Sequence, residues 1–547
     1  MAPVKRLLAL LSVFGAFSLV KFFPQRSING SFLATFFALL SFQYTILFTW
    51  NVILYPKYFS PLRHLPEPTG NALFMGQFAA IRKEPNGHPQ RRWANEVPND
   101  GIIRYMNVFN EERLLIVGPK ALAEVLATKN YDFIKPAQMR AGLGRVLGIG
   151  LLLAEGDEHR VQRKNLMPAF AYRHIKDLYP VFWAKSTEMI KALTHFTQSR
   201  QGEPPSDLTK APSVEIGDWS SRATLDIIGS AGMGHDFGSI EDPETELATT
   251  YRFVLQPNGQ AALLGLLSMF LPFWLVRSIP VARNKDIPAA VQTIRRTCHQ
   301  LVENKKQALE SKDQQPGKDI ISVALSSGGF TEENLVDQMM TFLAAGHETT
   351  ATAMMWAVYA LCQNPRYQTR LREEIRSNLP SIEDASAPIS AETLDRLPFL
   401  HAVCNEVLRL HPPVTLTLRE AGKNTTICDQ YVPKGTKIIL CPAAVNSSEA
   451  LWGPDASEFN PERWLAPGQA NVGGAPSNYA FLTFLHGPRS CIGQAFAKAE
   501  FAVLMAGLVG RFEMELENPD AELKIRTGIT ARVKGGMNIR MRAVEGW

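Results

Sequence analysis

Cysteine is scarce and unorganised in this chain. The six are Cys298, Cys362, Cys404, Cys428, Cys441 and Cys491, with no CxxC pair and no regular spacing. That excludes a disulfide framework and a Cys/His zinc cluster, and it suits a reducing compartment. A dominant sign of charge is lacking too. Lys and Arg number 57 against 52 Asp and Glu, a net charge of +5. Such a balance does not hold a nucleic acid by its phosphates. There is no internal repeat and no dinucleotide fingerprint: Gly142, Gly144, Gly148 and Gly150 have the third glycine misplaced, with no βαβ unit around them. What remains is a chain of 547 residues with ordinary apolar and charged content, long enough for a large core.

Long apolar runs are confined to the amino-terminal end. Leu7 to Val20 is short for a full span, whereas Phe32 to Tyr55 is long enough to cross a bilayer. Basic residues flank both runs: Lys5 and Arg6, Lys21 and Arg26, Lys57 and Arg63. A helical hairpin and a single span with the first run in the interface are both compatible with these charges. A cleaved signal peptide is a further reading of the first run. Asn29-Gly-Ser31 is a glycosylation sequon close to the membrane. Pro56, Pro61, Pro66 and Pro68 then stop the helix and make a stiff connector.

The stretch with most chemistry is Phe484-Leu-His-Gly-Pro-Arg489-Ser-Cys491-Ile-Gly493. An apolar helical pattern follows at Ile492, Ala495, Phe496, Ala499, Ala502, Val503 and Ala506. Cys491 is thus expected at a helix N-terminus, where the dipole and free N–H groups lower a thiol's pKa. Such a thiolate serves as a nucleophile, a zinc ligand or an axial haem ligand. Zinc lacks partners, since His486 is the one other candidate nearby. A cysteine hydrolase needs His and Asn partners that the sequence does not assign. Haem fits best: one sulfur ligand, small residues beside a flat ring, and Arg489 for a propionate.

This loop matches Phe-x-x-Gly-x-Arg-x-Cys-x-Gly at all its fixed positions and resembles the cytochrome P450 family. Three further motifs occur in the family's order. Thr331 is a fitting N-cap for an apolar helix running to about Gln363, and Pro365 starts the next. Its middle, Ala344-Ala345-Gly346-His347-Glu348-Thr349-Thr350, places a costly carboxylate inside a core helix. The resemblance implies that Ala345 and Gly346 leave room over haem, that Thr349 donates a hydrogen bond to dioxygen, and that Glu348 feeds protons from water. Some fatty-acid-hydroxylating members have a glutamate, ester-linked to haem, where Ala345 stands, so that link is not expected. Glu406 and Arg409, one helical turn apart on a helix from about Pro398 to Leu410, form with Arg463 the family's structural ion triad. In the family's Trp-x-x-x-Arg motif this chain has His159 in place of Trp, followed by Arg163. Both are implied propionate ligands, as is Arg419. Arg160, Lys164, Arg173 and Lys176 add a basic face on which an acidic redox partner could dock.

The implied fold is mainly α with small β-sheets. Residues 1–55 read as a membrane anchor of one or two helices, 56–69 as a hinge and 70–547 as a haem-binding catalytic domain. Leu114 to Val117 and Arg511 to Glu517 read as strands and Lys120 to Thr128 as helix. Val414 to Leu418 reads as a strand with Arg419 just after it, and Asp429 to Leu440 as a hairpin about Pro433-Lys-Gly435. The Gly142–Gly150 stretch reads as a mobile loop. Ala261 to Val276, interrupted by Pro272, reads as a core helix or as the lip of a substrate channel. Residues 311–318 read as a polar connector, and Thr527 to Thr530 as a turn over the pocket.

The implied activity is insertion of one oxygen atom from dioxygen into a lipophilic metabolite, a terpenoid, polyketide or fatty acid. Haem is the cofactor. NADPH acts through a separate NADPH–cytochrome P450 reductase, with cytochrome b5 a further donor, on the endoplasmic reticulum membrane facing the cytosol. Nucleic acid is not a partner. Two other readings remain at this level: a haem-thiolate isomerase or dehydratase that uses no dioxygen, and a non-enzymatic haem-binding protein.

Overall fold

The computed structural model describes residues 2–199, 207–255, 259–268, 271–310, 319–326, 328–384, 389–526 and 528–547. The 311–318 connector and Thr527 lie outside them.

The chain begins as a helical hairpin. Helix Ala2–Phe22 reverses at Asn29 and Gly30, both at positive φ, and Ser31 caps helix Phe32–Thr49 by accepting the Ala34 N–H. The helices pack closely, and a methyl group on Gly15 would sit 3.0 Å from Leu39 Cδ1. The second helix continues through Trp50–Phe59. Phe32–Phe59 has 28 residues, a mean hydropathy of 1.6 and 6% of its most apolar window buried, so it is long and apolar enough to cross a membrane.

The proline-rich connector is docked on the body. Leu62 is buried in the small-sheet core. Arg104, itself buried, donates to the Pro56 carbonyl at 2.6 Å and pairs with Glu67 and with Glu112 at 2.8 Å. Ser60 donates to Glu112 at 2.6 Å.

Among the described residues, ten short strands form three sheets. β1 (Ile102–Met106), β2 (Glu112–Ile116), β3 (Phe133–Ile134), β5 (Thr417–Ala421) and β8 (Lys437–Leu440) make a five-stranded sheet in the order β1-β2-β8-β5-β3. β4 (Ser213–Glu215), β9 (Phe512–Leu516) and β10 (Asn538–Ala543) make a second, and β6 (Thr425–Ile427) pairs with β7 (Gln430–Val432). The expected hairpin about Pro433-Lys-Gly435 is therefore corrected. β7 and β8 do not pair; β8 runs parallel to β2 and antiparallel to β5. Gly435, at φ 91°, instead donates its N–H to Ala421. Arg419 lies within β5, opposite Ile438, rather than after it.

Helices make up the rest. The central one, Glu332–Gln363, has 32 residues, and Thr331 caps it by accepting the Asn334 N–H. It is buried nearly all round, as expected of a helix apolar on every face. Helices Ile216–Ile227, Ala282–Glu310, Pro398–Leu410 and Gln494–Arg511 pack on it. The glycine-rich stretch is not a loose loop. Ala137–Leu147 is a helix, and the turn after it is bound to the central helix: Ile149 and Leu151 N–H groups donate to Asp337 and Gln338, and Thr341 donates to Leu147. Gly148 and Gly150 allow this approach, because a Cβ on either would overlap atoms of the 337–341 segment. The 261–276 run is not a core helix either. It forms Gly259–Leu267 and Phe273–Ser278 about Pro272, with Leu263 and Trp274 exposed; residues 269–270 lie outside the described set.

Candidate active site

The cysteine loop is rigidly made. Cys491 donates its N–H to Phe484 at 2.8 Å and Ser490 donates to Gly487. Gly487 sits at φ 73°, and a side chain there would run into the Leu126 carbonyl. Arg163 Nη1 donates to the Ser490 carbonyl at 2.5 Å. Its Nη2 also reaches Ser490 Oγ at 3.3 Å, so the guanidinium lies beside Cys491.

Behind the loop lies a fully satisfied ionic network. Glu406 and Arg409 are 0% exposed and paired in bidentate fashion, Nε and Nη2 each at 2.8 Å. Arg463 Nε adds a bond at 3.0 Å, Trp464 Nε1 one at 2.9 Å and the Asn460 N–H one at 2.9 Å. Arg409 also donates to the carbonyls of Asn446, Ala456 and Glu458. Asn446 passes the order on, binding the Leu482 N–H and Thr483 just before Phe484.

Cys491 and Ala345 are both exposed, so each borders open space. Phe170 joins the two segments. Its ring stands edge-on to Phe342 at 5.4 Å, and Gly493 lies against it, a Cβ there reaching 3.7 Å from the ring. Burial pushes the Cys491 thiol up, and the Gly493 N–H and Arg163 offset this only in part. The helix-terminus argument for a lowered pKa is thus outweighed by desolvation. A metal cation on the sulfur would reverse this and stabilise the thiolate.

Haem is tested by the charges around this space. Lys135, Arg419 and Arg489 are buried about one carboxylate, Glu155. Arg489 pairs with it, Lys135 Nζ stands 3.9 Å away, and Arg419 finds only Thr417 and Leu418 of its own strand. Arg489 Nε and Nη1 are buried without a partner. Burial and then the neighbouring cations push Lys135 down to about 7, Arg419 down to about 10 and His159 down to about 4. Buried cations in excess are costly, so this donor set calls for added negative charge. The two propionates of a haem would supply it. His159 bonds Tyr131 OH at 3.1 Å.

On the central helix the carbonyls of Ala345, Gly346, His347 and Glu348 each accept a threonine hydroxyl, from Thr349, Thr350, Thr224 and Thr352. Such bonding loosens a helix locally. The small residues divide their work: Ala345 borders the open space, whereas Gly346 makes room for Ile228, whose Cγ1 would lie 2.9 Å from a Cβ. The Glu348 side chain is buried. It accepts from Thr530 Oγ1 at 2.8 Å and lies 3.4 Å from Arg532 and 3.8 Å from Arg526. Arg532 also donates to Gly217 and Ser221. The carrying segment is held by Trp356 Nε1 on the Ala531 carbonyl at 2.7 Å and by the Ala531 N–H on Pro413. Glu348 and Arg532 border a pocket of mixed lining, Glu215, Asp218 and Arg222 on its polar side and Leu225, Ala248 and Leu255 on its apolar side.

Sequence reasoning missed Lys135, Glu155, Tyr131, Arg526, Arg532 and Glu500. Glu500 is fully buried on the helix after Cys491, and neither carboxylate oxygen reaches a partner. Burial holds its carboxyl well above the usual range, the nearby Thr350 hydroxyl offsetting little of this. A lone acid on the apolar face of that helix was a visible signal.

Residues 66–537 match the profile of a family described as Cytochrome P450. The chain is 48% identical to the cytochrome P450 monooxygenase sphH of Aspergillus fumigatus, covering 96% of this chain and 97% of that protein. It is 44% identical to the cytochrome P450 monooxygenase ALT8 of Alternaria alternata, covering 93% and 95%. It is also 44% identical to the cytochrome P450 monooxygenase FUM15 of Gibberella moniliformis, covering 91% of each.

Proposed function

The chain belongs to the cytochrome P450 family, and from that premise we propose that it is a membrane-anchored haem-thiolate monooxygenase acting on a lipophilic small molecule. The substrate class is a terpenoid, a polyketide or a fatty acid. Electrons come from NADPH through a separate NADPH–cytochrome P450 reductase, with cytochrome b5 as a further donor. The enzyme sits on the endoplasmic reticulum membrane with its catalytic body in the cytosol.

The observation that carries this reading is that Cys491 and Ala345, on segments linked through Phe170, are both exposed, while Arg489, two residues before the cysteine, keeps buried nitrogens without a hydrogen-bond partner among the described residues. Haem bound there supplies the activation of dioxygen. The chain's own residues do the rest. Arg489, Arg419, Lys135 and His159 hold the propionates. The Glu406–Arg409–Arg463 network keeps the cysteine loop from shifting. Thr349 shares a helix face with Ala345, so its hydroxyl, now donated to the Ala345 carbonyl at 2.8 Å, points along the opening. Glu348 points instead towards the pocket it shares with Arg532 and exchanges protons with its water. Exposed Arg160, Lys164 and Arg173 alternate with exposed Val161, Met167 and Tyr172, a basic surface with apolar anchors that fits an acidic flavoprotein.

The test is product formation from a panel of lipophilic metabolites after co-expression with a reductase. Product requires both dioxygen and the reductase. Turnover with neither indicates an isomerase, and haem binding without turnover indicates a binding protein.

A further inference from the structure

Tyr131 touches two residues of the proposed propionate set, His159 and Arg489. It lies between the Glu124–Thr128 turn and β3, in a segment tied down on both sides. Lys129 Nζ pairs with Glu124 at 2.8 Å and donates to the Thr426 carbonyl at 2.9 Å. Asn130 Nδ2 donates to the Ala127 carbonyl at 2.8 Å, and the Gly422 N–H donates to Asp132 at 2.8 Å. Phe133 is fully buried and pairs with Ala421, two residues after Arg419. The Tyr131 ring is thereby fixed against two guanidiniums, with Arg160 at 4.2 Å and Arg489 at 5.0 Å from its centroid. Such contacts hold a ring by its face and leave its hydroxyl free for another partner.

That partner is His159. The Tyr131 hydroxyl stands 3.1 Å from His159 Nδ1, with the rings edge-on and their centroids 5.9 Å apart. His159 is 2% exposed, and its Nε2 has no hydrogen-bond partner among the described residues. Burial, then the cations of Arg489, Lys135 and Arg163, outweigh the Glu155 carboxylate and keep the ring neutral near pH 7. A neutral imidazole has one N–H, and the bond made by one nitrogen decides which of the two carries it. A hydroxyl donating to Nδ1 leaves the proton on Nε2. The reverse arrangement turns the Nε2 lone pair outward, and beside a carboxylate that is repulsive. An indole, which the family has in place of His159, is a donor at its single N–H whatever surrounds it. An imidazole reproduces that donor in one tautomer alone.

We propose that Tyr131 is a positioning residue of the haem site: its hydroxyl donates to His159 Nδ1, fixes the Nε2–H tautomer, and so gives His159 the donor that holds a propionate. The Tyr131–His159 pair does together what a tryptophan does alone. The proposal rests on the haem reading given above.

The test uses the full-length haem-loaded protein. Tyr131→Phe, His159→Trp and the double variant are compared with wild type by the rate of haem transfer to apomyoglobin. They are also compared by the propionate bending bands of the resonance Raman spectrum, which shift when a hydrogen bond to the carboxylate is lost. Tyr131→Phe keeps the ring against the two arginines. It is expected to speed haem transfer about tenfold, the scale of one hydrogen bond to a charged group, and to shift a propionate band. His159→Trp is expected to stay close to wild type, and adding Tyr131→Phe to it is expected to change neither reading. A Tyr131→Phe protein identical to wild type overturns the proposal. Equal losses in both backgrounds mean that the hydroxyl serves packing, and overturn it too. Solid-state NMR of wild type labelled at the histidine ring nitrogens, as the diamagnetic ferrous carbon monoxide complex, needs no Tyr131 variant. With His159 assigned by difference from His159→Trp, a proton on Nε2 supports the pair and a proton on Nδ1 overturns it. Wild type that holds no haem defeats the haem reading itself, and the proposal with it.

Discussion

Thr530 donates its hydroxyl to Glu348 across 2.8 Å. The two residues come from the segment between β9 and β10 and the middle of the central helix. Glu348 is thus positioned by that segment, with Arg532 3.4 Å and Arg526 3.8 Å away.

Glu348→Gln is expected to lower product formation by about 100-fold or more, the usual share of a positioned acid or base, while haem content stays unchanged. Thr530→Val and Arg532→Gln are expected to give smaller losses, with more peroxide formed per dioxygen consumed. Oxygen uptake, peroxide and product measured together check this.

Cys491→Ala is expected to remove the red-shifted absorbance of the reduced carbon monoxide complex. A shift that survives means the ligand lies elsewhere.

Breaking the Glu406–Arg409 pair strands a charge in a site with no access to water. Glu406→Gln or Arg409→Leu is expected to cost about 3–5 kcal/mol, read as loss of soluble haem protein or a lowered unfolding midpoint. Arg463→Gln is expected to cost less, because Asp455 and solvent are near Arg463.

Gly487→Ala places a methyl group against the Leu126 carbonyl at a positive φ. The cysteine loop must move away from the Glu124–Thr128 turn, and the haem occupancy of purified protein is expected to fall. The wild-type loop was legible in the sequence because its constraints are local: glycine, arginine and cysteine act within ten residues of backbone. The central helix was legible for the same reason, with Thr331 capping one end and Pro365 opening the next helix. The partners of Glu348 were not legible, since nothing local links position 348 to positions 526–532. The hairpin about Gly435 misled for the same reason: β8 found better partners in β2 and β5 than in its sequence neighbour.

His411 stacks face to face on Trp356, with ring centroids 4.6 Å apart. Burial, then Arg91 and Arg409, push it down to about 3, from 6.5. The unfolded chain therefore takes up a proton first as pH falls below 6.5, and stability is lost from there towards pH 3. Full burial would cost about 1.4 kcal/mol per pH unit; part of the side chain stays accessible, so the slope is shallower. His411→Phe keeps the stack and is expected to flatten this limb of the acid unfolding curve.

Arg104 ties the anchor to β1, an edge strand of the five-stranded sheet, and three strands across that sheet β5 carries Arg419. A hydrogen-bonded sheet transmits load between its strands with little give. The segment that follows the apolar helix and the buried Arg419 thus hang on one continuous hydrogen-bonded ladder, so a displacement at Pro56 is felt four strands in.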